Sequence, residues 1–459
     1  MTDCLLASRP EHSTPVMLVA EGAFKPWLEQ QPEATNSWIA ATGFQAKPGS
    51  VCLTPDNSQR LGRVLAGVES LDDLWACAGL PAALPAGCYH LDVPASPELM
   101  ARLTLGWGLG AYQFTRYKPS KQTMATLAAD PACDLASVRQ HLQAITLVRD
   151  LINTPAADMM PEQLAEAALT LGQEFGARVE QVVGDELRRQ NFPLIHAVGR
   201  ASQHPPRLVD LRWGEEAHPR LTLVGKGVCF DSGGLDLKPA DAMRLMKKDM
   251  GGAAHALGLA RLIMSTGLPL RLRVLVAAVE NAVAGNALRP GDIIRSRQGL
   301  TIEIDNTDAE GHLILGDAIA EAGAEQPALL IDFATLTGAA RIALGAEVPA
   351  LFSNTDELAA GLLAAAERER DPIWRLPLHK PYREMLDSRV ADLVNSASSR
   401  YAGAITAALF LQEFVPAGLP WAHLDLMAWN TKSRPGRPEG GETMGLRAVY
   451  AYLKRRFSG

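Results

Sequence analysis

The hydrophobic positions of this chain fall into continuous apolar runs separated by stretches of helical spacing. Continuous apolar runs are typical of strands that helices cover on both faces of a sheet. The runs are LTLVGKGV (221–228), RLRVLVAAVE (271–280), PALLIDFATL (327–336) and AHLDL (422–426). Helical spacing lies between them, in AAHALGLARLIMSTG (253–267) and LILGDAIAEAG (313–323). The pattern predicts an α/β fold whose mixed, largely parallel sheet is covered by helices on both faces.

The first part of the chain has shorter elements of its own. Five short runs predict strands: PVMLVA (15–20), WIAATGF (38–44), VCLT (51–54), RVLAGV (63–68) and YHLDV (89–93). The segment PELMARLTLGWGLGAYQF (97–114) predicts a helix. We therefore expect a small N-terminal α/β domain over residues 1–130 and a larger domain over 131–459. The polar passage at 116–134 is a candidate linker between them.

Length and composition favour two soluble globular domains. A chain of 459 residues is too long for one ordinary core, and 47% hydrophobic with 21% charged residues allows a large interior. The net charge of −7 opposes general attraction to polyanions. Nucleic acid is therefore not the default partner, although a local basic patch is compatible with this charge.

The N-terminus and the cysteines predict a cytoplasmic protein. The first residues lack a basic stretch before a sustained apolar core, and no window is apolar for long enough to span a membrane. The cysteines at 4, 52, 77, 88, 133 and 229 form no CxxC pair and are too sparse for a disulfide framework. We expect reduced thiols and no membrane partner.

Two patterned segments carry the candidate chemistry. The first, at 225–254, contains Lys226, Asp231 and Asp249; the second, at 305–318, contains Asp308 and Glu310. Oxygen and amine ligands on loops rich in glycine suit a pair of divalent cations. Taken singly, an aspartate after a strand is usually a helix cap or a turn former. Four acids with a lysine in patterned blocks favour a metal site instead.

The lysine has an alternative interpretation that the pattern opposes. Lys226 could belong to a phosphate-binding loop, but its surroundings are not GxxxxGK[ST]. Gly225 and Gly227 also lack the third glycine of a dinucleotide-binding loop. The metal site therefore stays the first hypothesis.

The two segments resemble the leucyl aminopeptidase family, also called the cytosol aminopeptidase family. The likeness lies in GKGVCFDSGG, DMGGAA and NTDAEG, and it extends to further blocks in the same order. These blocks are LINTPAADMMPEQLA (151–165), VENAVAGNALRPGDII (279–294), ATLTGAARIALG (334–345), AGAITAALFL (402–411) and WAHLDL (421–426). The resemblance covers nearly the whole chain after about residue 118.

The resemblance implies two divalent ions, zinc or manganese, in each subunit. Lys226, Asp231, Asp249 and Glu310 would hold the tighter ion, whereas Asp231, Asp308 and Glu310 would hold the more exchangeable one. Ions about 3.5–4 Å apart would activate a bridging water and polarise the scissile carbonyl. A lysine can act as a ligand only as the neutral amine, so the adjacent cation must depress its pKa.

The resemblance also implies the substrate, the assembly and a second lysine. The substrates would be peptides with a free N-terminus, because one ion takes the α-amine. Lys238 matches the lysine that stabilises the tetrahedral oxyanion; alone, it would read as a solvated surface residue. The family forms hexamers, and we expect six chains here.

The chain departs from the family at position 312. The family has an arginine there that holds bicarbonate as the general base, whereas this chain has His312. A largely neutral imidazole is a poor bidentate anion clamp, so a bicarbonate cofactor is in doubt. His312 is either the base itself, a holder of a weaker anion, or a neutral filler in a weakened enzyme. As a base of ordinary pKa near 6.5, it would cause activity to fall below about pH 6.

The resemblance places four residues around the pocket for the first side chain. They are Met246, Thr335, Gly338 and Met427. Met427 is a second departure, because the family usually has a small alanine there. The sequence therefore predicts a two-domain metallo-aminopeptidase. The alternative is a catalytically weakened, oligomeric metal-binding scaffold with a regulatory or DNA-associated role.

Overall fold

The computed structural model of the chain describes residues 4–94 and 96–458. These described residues divide into two compact units, one that runs to residue 146 and includes 432–439, and one of residues 147–431 with those from 440 onward. The division falls inside the helix Leu135–Asn153. No helix within the described residues is both long enough and apolar enough to cross a membrane.

The smaller unit is a six-stranded sheet with helices. Its strands are β1 (Leu5–Leu6), β2 (Thr14–Ala20), β3 (Val51–Pro55), β4 (Leu61–Val68), β5 (Cys88–Leu91) and β6 (Thr126–Ala128). Its helices are α1 (Glu21–Leu28), α2 (Glu33–Thr42), α3 (Leu80–Ala83) and α4 (Pro97–Gly110), and α5 (Leu135–Asn153) follows. The order in the sheet is β1-β6-β5-β2-β4-β3, with only β3 antiparallel to its neighbour.

Two local predictions for this unit are wrong. The run 38–44 is not a strand: residues 38–42 form the second half of α2, and Gly43 caps the helix with a left-handed φ of 68°. The helix begins upstream at the polar residue Glu33, and Ile39 is its one buried residue. The short apolar run therefore lacked the 3.6-residue hydrophobic period that indicates a helix. The passage 116–134 is not simply a linker, because β6 lies within it and pairs with β1 and β5.

The larger unit contains an eight-stranded sheet and two small ones. Its strands are β7 (Arg178–Val183), β8 (Arg207–Trp213), β9 (Arg220–Asp231), β10 (Arg271–Asn281), β11 (Ile293–Arg295), β12 (Thr301–Glu303), β13 (Leu329–Ala334), β14 (Ala350–Ser353), β15 (Trp374–Arg375), β16 (Leu393–Val394), β17 (Trp421–Asp425), β18 (Trp429–Asn430) and β19 (Gly440–Gly441). The large sheet has the order β15-β14-β17-β13-β9-β10-β8-β7, and β17, β13, β9 and β10 are mutually parallel.

Helices cover both faces of this mixed sheet. They are α6 (Pro161–Phe175), α7 (Glu186–Arg189), α8 (Pro193–Gly199), α9 (Ala240–Met243), α10 (Gly251–Thr266), α11 (Glu310–Ala324), α12 (Gly338–Leu344), α13 (Asp356–Glu369), α14 (Gly403–Gln412) and α15 (Leu446–Phe457). Short 3₁₀ helices span Ala156–Asp158, Met246–Met250 and Lys380–Leu386. Val224 and Val228 of β9 share one buried cluster with side chains of α8 and α11. Gly225 faces α10, where an added Cβ would lie 2.5 Å from Ala253 Cα. The two-domain α/β prediction is confirmed.

Candidate metal centre

The patterned residues gather where the central parallel strands end. Lys226 lies within β9 and Asp231 is its last residue, while Glu310 is the first residue of α11. Asp249 lies in the 3₁₀ helix that leads into α10, and Asp308 is in the turn before α11. Open α/β sheets usually place ligands at this edge. Segments far apart in sequence therefore contribute to one site.

Two lysine ammonium groups bring the carboxylates together. Lys226 Nζ lies 2.8 Å from Asp249 Oδ2 and 2.9 Å from Glu310 Oε1. Lys238 Nζ lies 2.8 Å from Asp231 Oδ2 and contacts Asp308 Oδ1. One oxygen each of Asp231, Asp308 and Glu310 lies within 4.8 Å of the other two. The structure brings all four acids and both predicted lysines into one site.

Burial and crowding perturb the ionisation of these groups. Burial and then the charge of Asp231 raise the pKa of Glu310 well above its usual value. The same two causes raise the pKa of Asp308 to about 6. Burial would lower the pKa of Lys226, but Asp249 and Glu310 raise it overall. Two lysines do not offset four carboxylates, so in the absence of further cations the neutral forms of Glu310 and Asp308 are favoured.

The donor set fits divalent cations. Asp249 Oδ2, Asp308 Oδ1 and Glu310 Oε1 each lie in an ion pair with a lysine ammonium, and within the described residues Glu310 Oε2 has no hydrogen-bond partner, so two lysines face four carboxylates. Buried carboxylate oxygens without partners are costly unless a cation compensates them. Four carboxylates equal the charge of two divalent ions. These residues could therefore hold such a pair.

Asn281 and Gly311 support the site and were not identified from the sequence, and Thr335 makes a contact in addition to its predicted place in the pocket. Asn281 Nδ2 donates to Asp231 Oδ1 at 2.8 Å, and Thr335 Oγ1 donates to Asp249 Oδ1 at 2.8 Å. Both bonds orient a carboxylate, as such partners commonly do around metal ligands. Gly311 is needed because an added Cβ would lie 2.6 Å from Lys226 Cε. Asn281 and Gly311 lie inside the blocks of family resemblance, which was the available signal.

His312 lies at the site but is not poised to protonate near pH 6. Its side chain is largely buried, and its ring meets that of Phe410 edge-on at a centroid distance of 5.6 Å. Burial, followed by the charges of Lys226 and His423, lowers the pKa of His312 to about 3. A ring of that pKa is neutral at pH 6, which opposes the premise of the expected fall in activity below about pH 6; the pH dependence of the activity itself stays a prediction. Its Nδ1 has no hydrogen-bond partner among the described residues.

A cavity of about 570 Å³ opens onto the carboxylates. Its lining includes all the predicted site residues except Glu310, which is buried. They are Lys226, Asp231, Lys238, Met246, Asp249, Asp308, His312, Thr335, Gly338 and Met427. The structure therefore places the four predicted pocket residues beside the metal ligands.

Two cations that line this cavity were missed from the sequence. Lys248 is buried beside Asp249, and Arg341 lies in α12. Burial lowers the pKa of Lys248 to about 8, with Asp249 opposing the shift and Arg341 reinforcing it. Lys248 is adjacent to the predicted ligand Asp249, and Arg341 lies in an alanine-rich helix. Neither position belongs to a sequence motif that indicates a binding site.

Comparisons with known proteins cover both units. Residues 146–450 match the cytosol aminopeptidase family, catalytic domain, and residues 14–130 match the M17 aminopeptidase, N-terminal domain. A probable cytosol aminopeptidase of Syntrophotalea carbinolica is 43% identical over 391 residues, covering 81% of this chain and 78% of that protein. Peptidase B of Yersinia pseudotuberculosis is 43% identical over 359 residues, covering 75% and 83%.

Solved structures agree with these sequence matches. The cytosol aminopeptidase from Coxiella burnetii has a TM-score of 0.96 and 50% identity, covering 99% of this chain and 100% of that one. The bottromycin maturation enzyme BotP in complex with Mn has a TM-score of 0.87 and 35% identity, covering 97% and 99%. The matches favour the peptidase prediction over the alternative of a weakened scaffold or DNA-associated protein.

Proposed function

The chain belongs to the cytosol aminopeptidase family, and we propose from this premise that its site uses two divalent ions to remove the first residue of peptides. It is a metal-dependent exopeptidase of the leucyl aminopeptidase type. The observation that carries the two-ion proposal is the cluster of four carboxylates around only two lysines, which leaves two negative charges without a cation.

We assign the ligands as two overlapping sets. Lys226, Asp231, Asp249 and Glu310 would hold one ion, and Asp231, Asp308 and Glu310 would hold the other. When bound, the ions would supply an activated water, a polarised carbonyl and a ligand site for the α-amine. Lys226 must lose a proton to become a ligand, because its ammonium has no lone pair.

Lys238 would stabilise the oxyanion that forms on the scissile carbonyl. Its ammonium is held by Asp231 and Asp308 at the cavity wall, close to both ligand sets. Burial would lower its pKa, but the charges of Asp231 and Glu310 raise it overall, so the group stays cationic. A fixed positive charge at a water-poor site stabilises developing negative charge more than it would in bulk water.

His312 would act as the general base or hold a weak anion. Its neutral ring lines the cavity, and Nδ1 has no hydrogen-bond partner within the described part of the chain, so this nitrogen can accept a hydrogen bond from a water or donate one to an anion. The filler role predicts instead that His312→Ala keeps the native rate. Rates in carbon-dioxide-depleted buffer, with and without bicarbonate, distinguish the base from the anion holder.

Met246, Thr335, Gly338 and Met427 would surround the first side chain. All four line the cavity beside Asp249, which belongs to the first ligand set. Met427 occupies volume that an alanine would leave open, so we propose that bulky aromatic first residues are accepted less well than small or flexible ones.

We further propose a homohexamer that works in the cytoplasm with zinc or manganese. Large apolar side chains are exposed on the larger unit, with Ile342 at 90%, Tyr401 at 68% and Leu237 at 60%. Each is close in sequence to a residue that lines the cavity, so subunit contacts at its mouth would cover them. A monomeric mass by light scattering at micromolar concentration would contradict this assembly.

The test of function begins with protein freed of metal by a chelator. Manganese or zinc is then added, bound metal is counted per chain, and hydrolysis of leucine p-nitroanilide is followed. We expect two ions per chain at full activity and no turnover without metal. The same anilide with a blocked amine is the matched control and should not be cleaved. Full activity in the chelated protein would contradict the proposal.

A further inference from the structure

The cavity contains a positive region that metal binding and oxyanion stabilisation do not use. Arg341 Nη1 lies 3.3 Å from Met427 Sδ. An added Cβ on Gly338 would lie 3.4 Å from Arg341 Nη2. The guanidinium thus lies between two of the residues assigned to the first side-chain pocket. In this position, the guanidinium would contact the first side chain of a bound substrate.

This guanidinium has weak partners in the protein. A thioether sulfur is a poor acceptor, and no described carboxylate forms an ion pair with Arg341. Lys248 lines the same cavity, is buried, and likewise has no ion pair within the described ranges. Buried or half-buried cations normally have an anionic partner. Two of them facing one cavity leave room for an anion.

The nearby acids do not supply that anion. Asp425 is buried and its oxygens accept hydrogen bonds from Leu336 N, Thr337 N and Thr337 Oγ1. Asp241 also lines the cavity, but it is exposed. The remaining acids are the metal ligands, which the lysines and the ions would neutralise. The part of the pocket beside Met427 is therefore positively charged.

We propose that Arg341, assisted by Lys248, binds the side-chain carboxylate of an N-terminal aspartate or glutamate. The planar guanidinium can donate two parallel hydrogen bonds to one carboxylate. The Met427 side chain would contact the aliphatic part of the same residue and adapt to its length. This inference rests on the proposed aminopeptidase activity and names a substrate class for the same site.

The test compares substrates of nearly equal shape that differ in charge. Glutamate and glutamine p-nitroanilides carry no C-terminal carboxylate, so they report only on the first side chain. We expect kcat/KM to be at least about tenfold higher for the glutamate substrate, mainly through KM, as for one charge-assisted hydrogen-bonded pair. A ratio of one or less in the native enzyme would overturn the proposal.

Variants then test whether Arg341 causes the preference for glutamate over glutamine. Arg341→Gln should bring the glutamate-to-glutamine ratio close to one, and Arg341→Lys should retain part of it because it keeps the charge but not the fork. Arg455→Gln is the matched control, because Arg455 is exposed on α15 and does not line the cavity. It should leave the native ratio unchanged. An unchanged ratio in Arg341→Gln would assign the preference to another group and overturn the proposal.

A binding measurement separates this inference from the proposed function. Calorimetry with free glutamate and glutamine requires no turnover, and both carry the same α-amine and α-carboxylate. We expect tighter binding of glutamate to the native protein and loss of the difference in Arg341→Gln. Hydrolysis of leucine anilide with equal binding of the two amino acids would refute the acidic pocket alone. Absent hydrolysis of every anilide with a retained glutamate preference would refute the activity alone.

Discussion

Two charged clusters lie towards opposite ends of the central parallel strands, and they treat their carboxylates differently. At the carboxyl ends, Asp231, Asp308 and Glu310 crowd around two compact lysine ammonium groups, and Glu310 Oε2 has no hydrogen-bond partner among the described residues. Towards the amino ends, Arg273 Nη2 lies 2.7 Å from Asp210 Oδ2 and also 2.7 Å from Glu321 Oε1. In the second cluster, arginines supply several directed donors to each acid, whereas in the first cluster two lysine charges face four carboxylates.

The ionisation of the acids follows the same division. Burial raises the pKa of Glu310 well above its usual value, and Asp231 adds to the shift. Burial would also raise the pKa of Glu325, but Arg212 and then Arg273 lower it overall. Arginine supplies several directed donors that stay charged, so it suits a structural network. A lysine ammonium is a compact charge that contacts few of the surrounding carboxylate oxygens. The other oxygens remain available to bind a metal ion.

The largest expected effect comes from breaking the first cluster at Asp231. Asp231→Asn removes an anionic ligand from both ions, so we expect hydrolysis to fall at least about a thousandfold. Metal should also cease to raise the unfolding midpoint, because ions that bind only the folded state stabilise it by mass action. Activity and thermal unfolding are measured with and without manganese.

The control for that variant lies in the second cluster. Glu321→Gln changes one acid in the same way, but Glu321 pairs with Arg273 and does not line the cavity. It should keep both the metal-dependent rise in midpoint and the activity of the folded protein. Equal loss of activity in Asp231→Asn and Glu321→Gln would contradict the conclusion that only the first cluster is required for catalysis.

The second effect breaks the arginine network instead. Arg273→Met leaves Asp210 and Glu321, whose side chains are 16% and 17% exposed, without their shared cation. Partial exposure reduces the cost from that of a fully buried pair, so we expect a loss of about 2–3 kcal/mol in the free energy of unfolding. Urea unfolding of the metal-free protein measures it. A loss below about 0.5 kcal/mol would show that the network is stabilised elsewhere.

A third charged group sharpens the comparison because its main partners are backbone amides. Asp317 accepts hydrogen bonds from Leu194 N, Ile195 N and Arg297 N. Burial nevertheless raises the pKa of Asp317 from 3.8 to about 7. Between those values, the unfolded chain binds fewer protons at this group than the folded one does. This group's contribution to stability therefore decreases as pH rises through that window.

Asp317→Asn tests this dependence. We expect the difference in unfolding free energy between native and variant protein to shift by about 1–2 kcal/mol between pH 5 and pH 7, in favour of the variant at the higher pH. Asp308 and Glu310 titrate in both proteins, so their effects cancel in the difference. Urea unfolding in the presence of chelator at several pH values provides the measurement. A constant difference would mean that Asp317 is ionised throughout.

The smallest expected effect concerns the shape of the pocket. Met427→Ala should raise kcat/KM for a phenylalanine substrate relative to an alanine substrate by about fivefold, roughly 1 kcal/mol, because it returns volume to the pocket. Substitution of Met264, which is buried in α10 away from the cavity, provides a methionine control. An unchanged ratio in Met427→Ala would remove this side chain from the first-residue pocket.

The sequence predicted the larger unit better than the smaller one. Strands such as β9 and β13 are continuous apolar runs covered on both faces, so hydrophobic pattern and fold agree. In the smaller unit, α2 buries only Ile39, and its short apolar run resembled a strand. The strand β6 has only three residues, and its pairing with β1 and β5 could not be read from local sequence.

The site was predictable where chemistry and motif coincide. Asp231 and Glu310 belong to dense patterns, and the structure brings them into one cluster. The pKa of His312 depends mainly on how deeply the side chain is buried. The sequence shows that histidine replaces the family's arginine, but it does not show this burial. Arg341 faces the cavity because of the position of α12, and only the tertiary structure shows that orientation.

The contact between Gly311 and the stem of Lys226 has a consequence for mutational tolerance. Gly311 binds nothing itself, yet an added methyl group would lie 2.6 Å from Lys226 Cε and 2.8 Å from its Nζ. Even alanine, the best helix former, would displace the amine there despite favouring α11. In a saturation library selected for activity, position 311 should therefore be as intolerant as the ligand positions. The absence of a side chain at one position would then constrain the sequence as strongly as the metal-binding groups do.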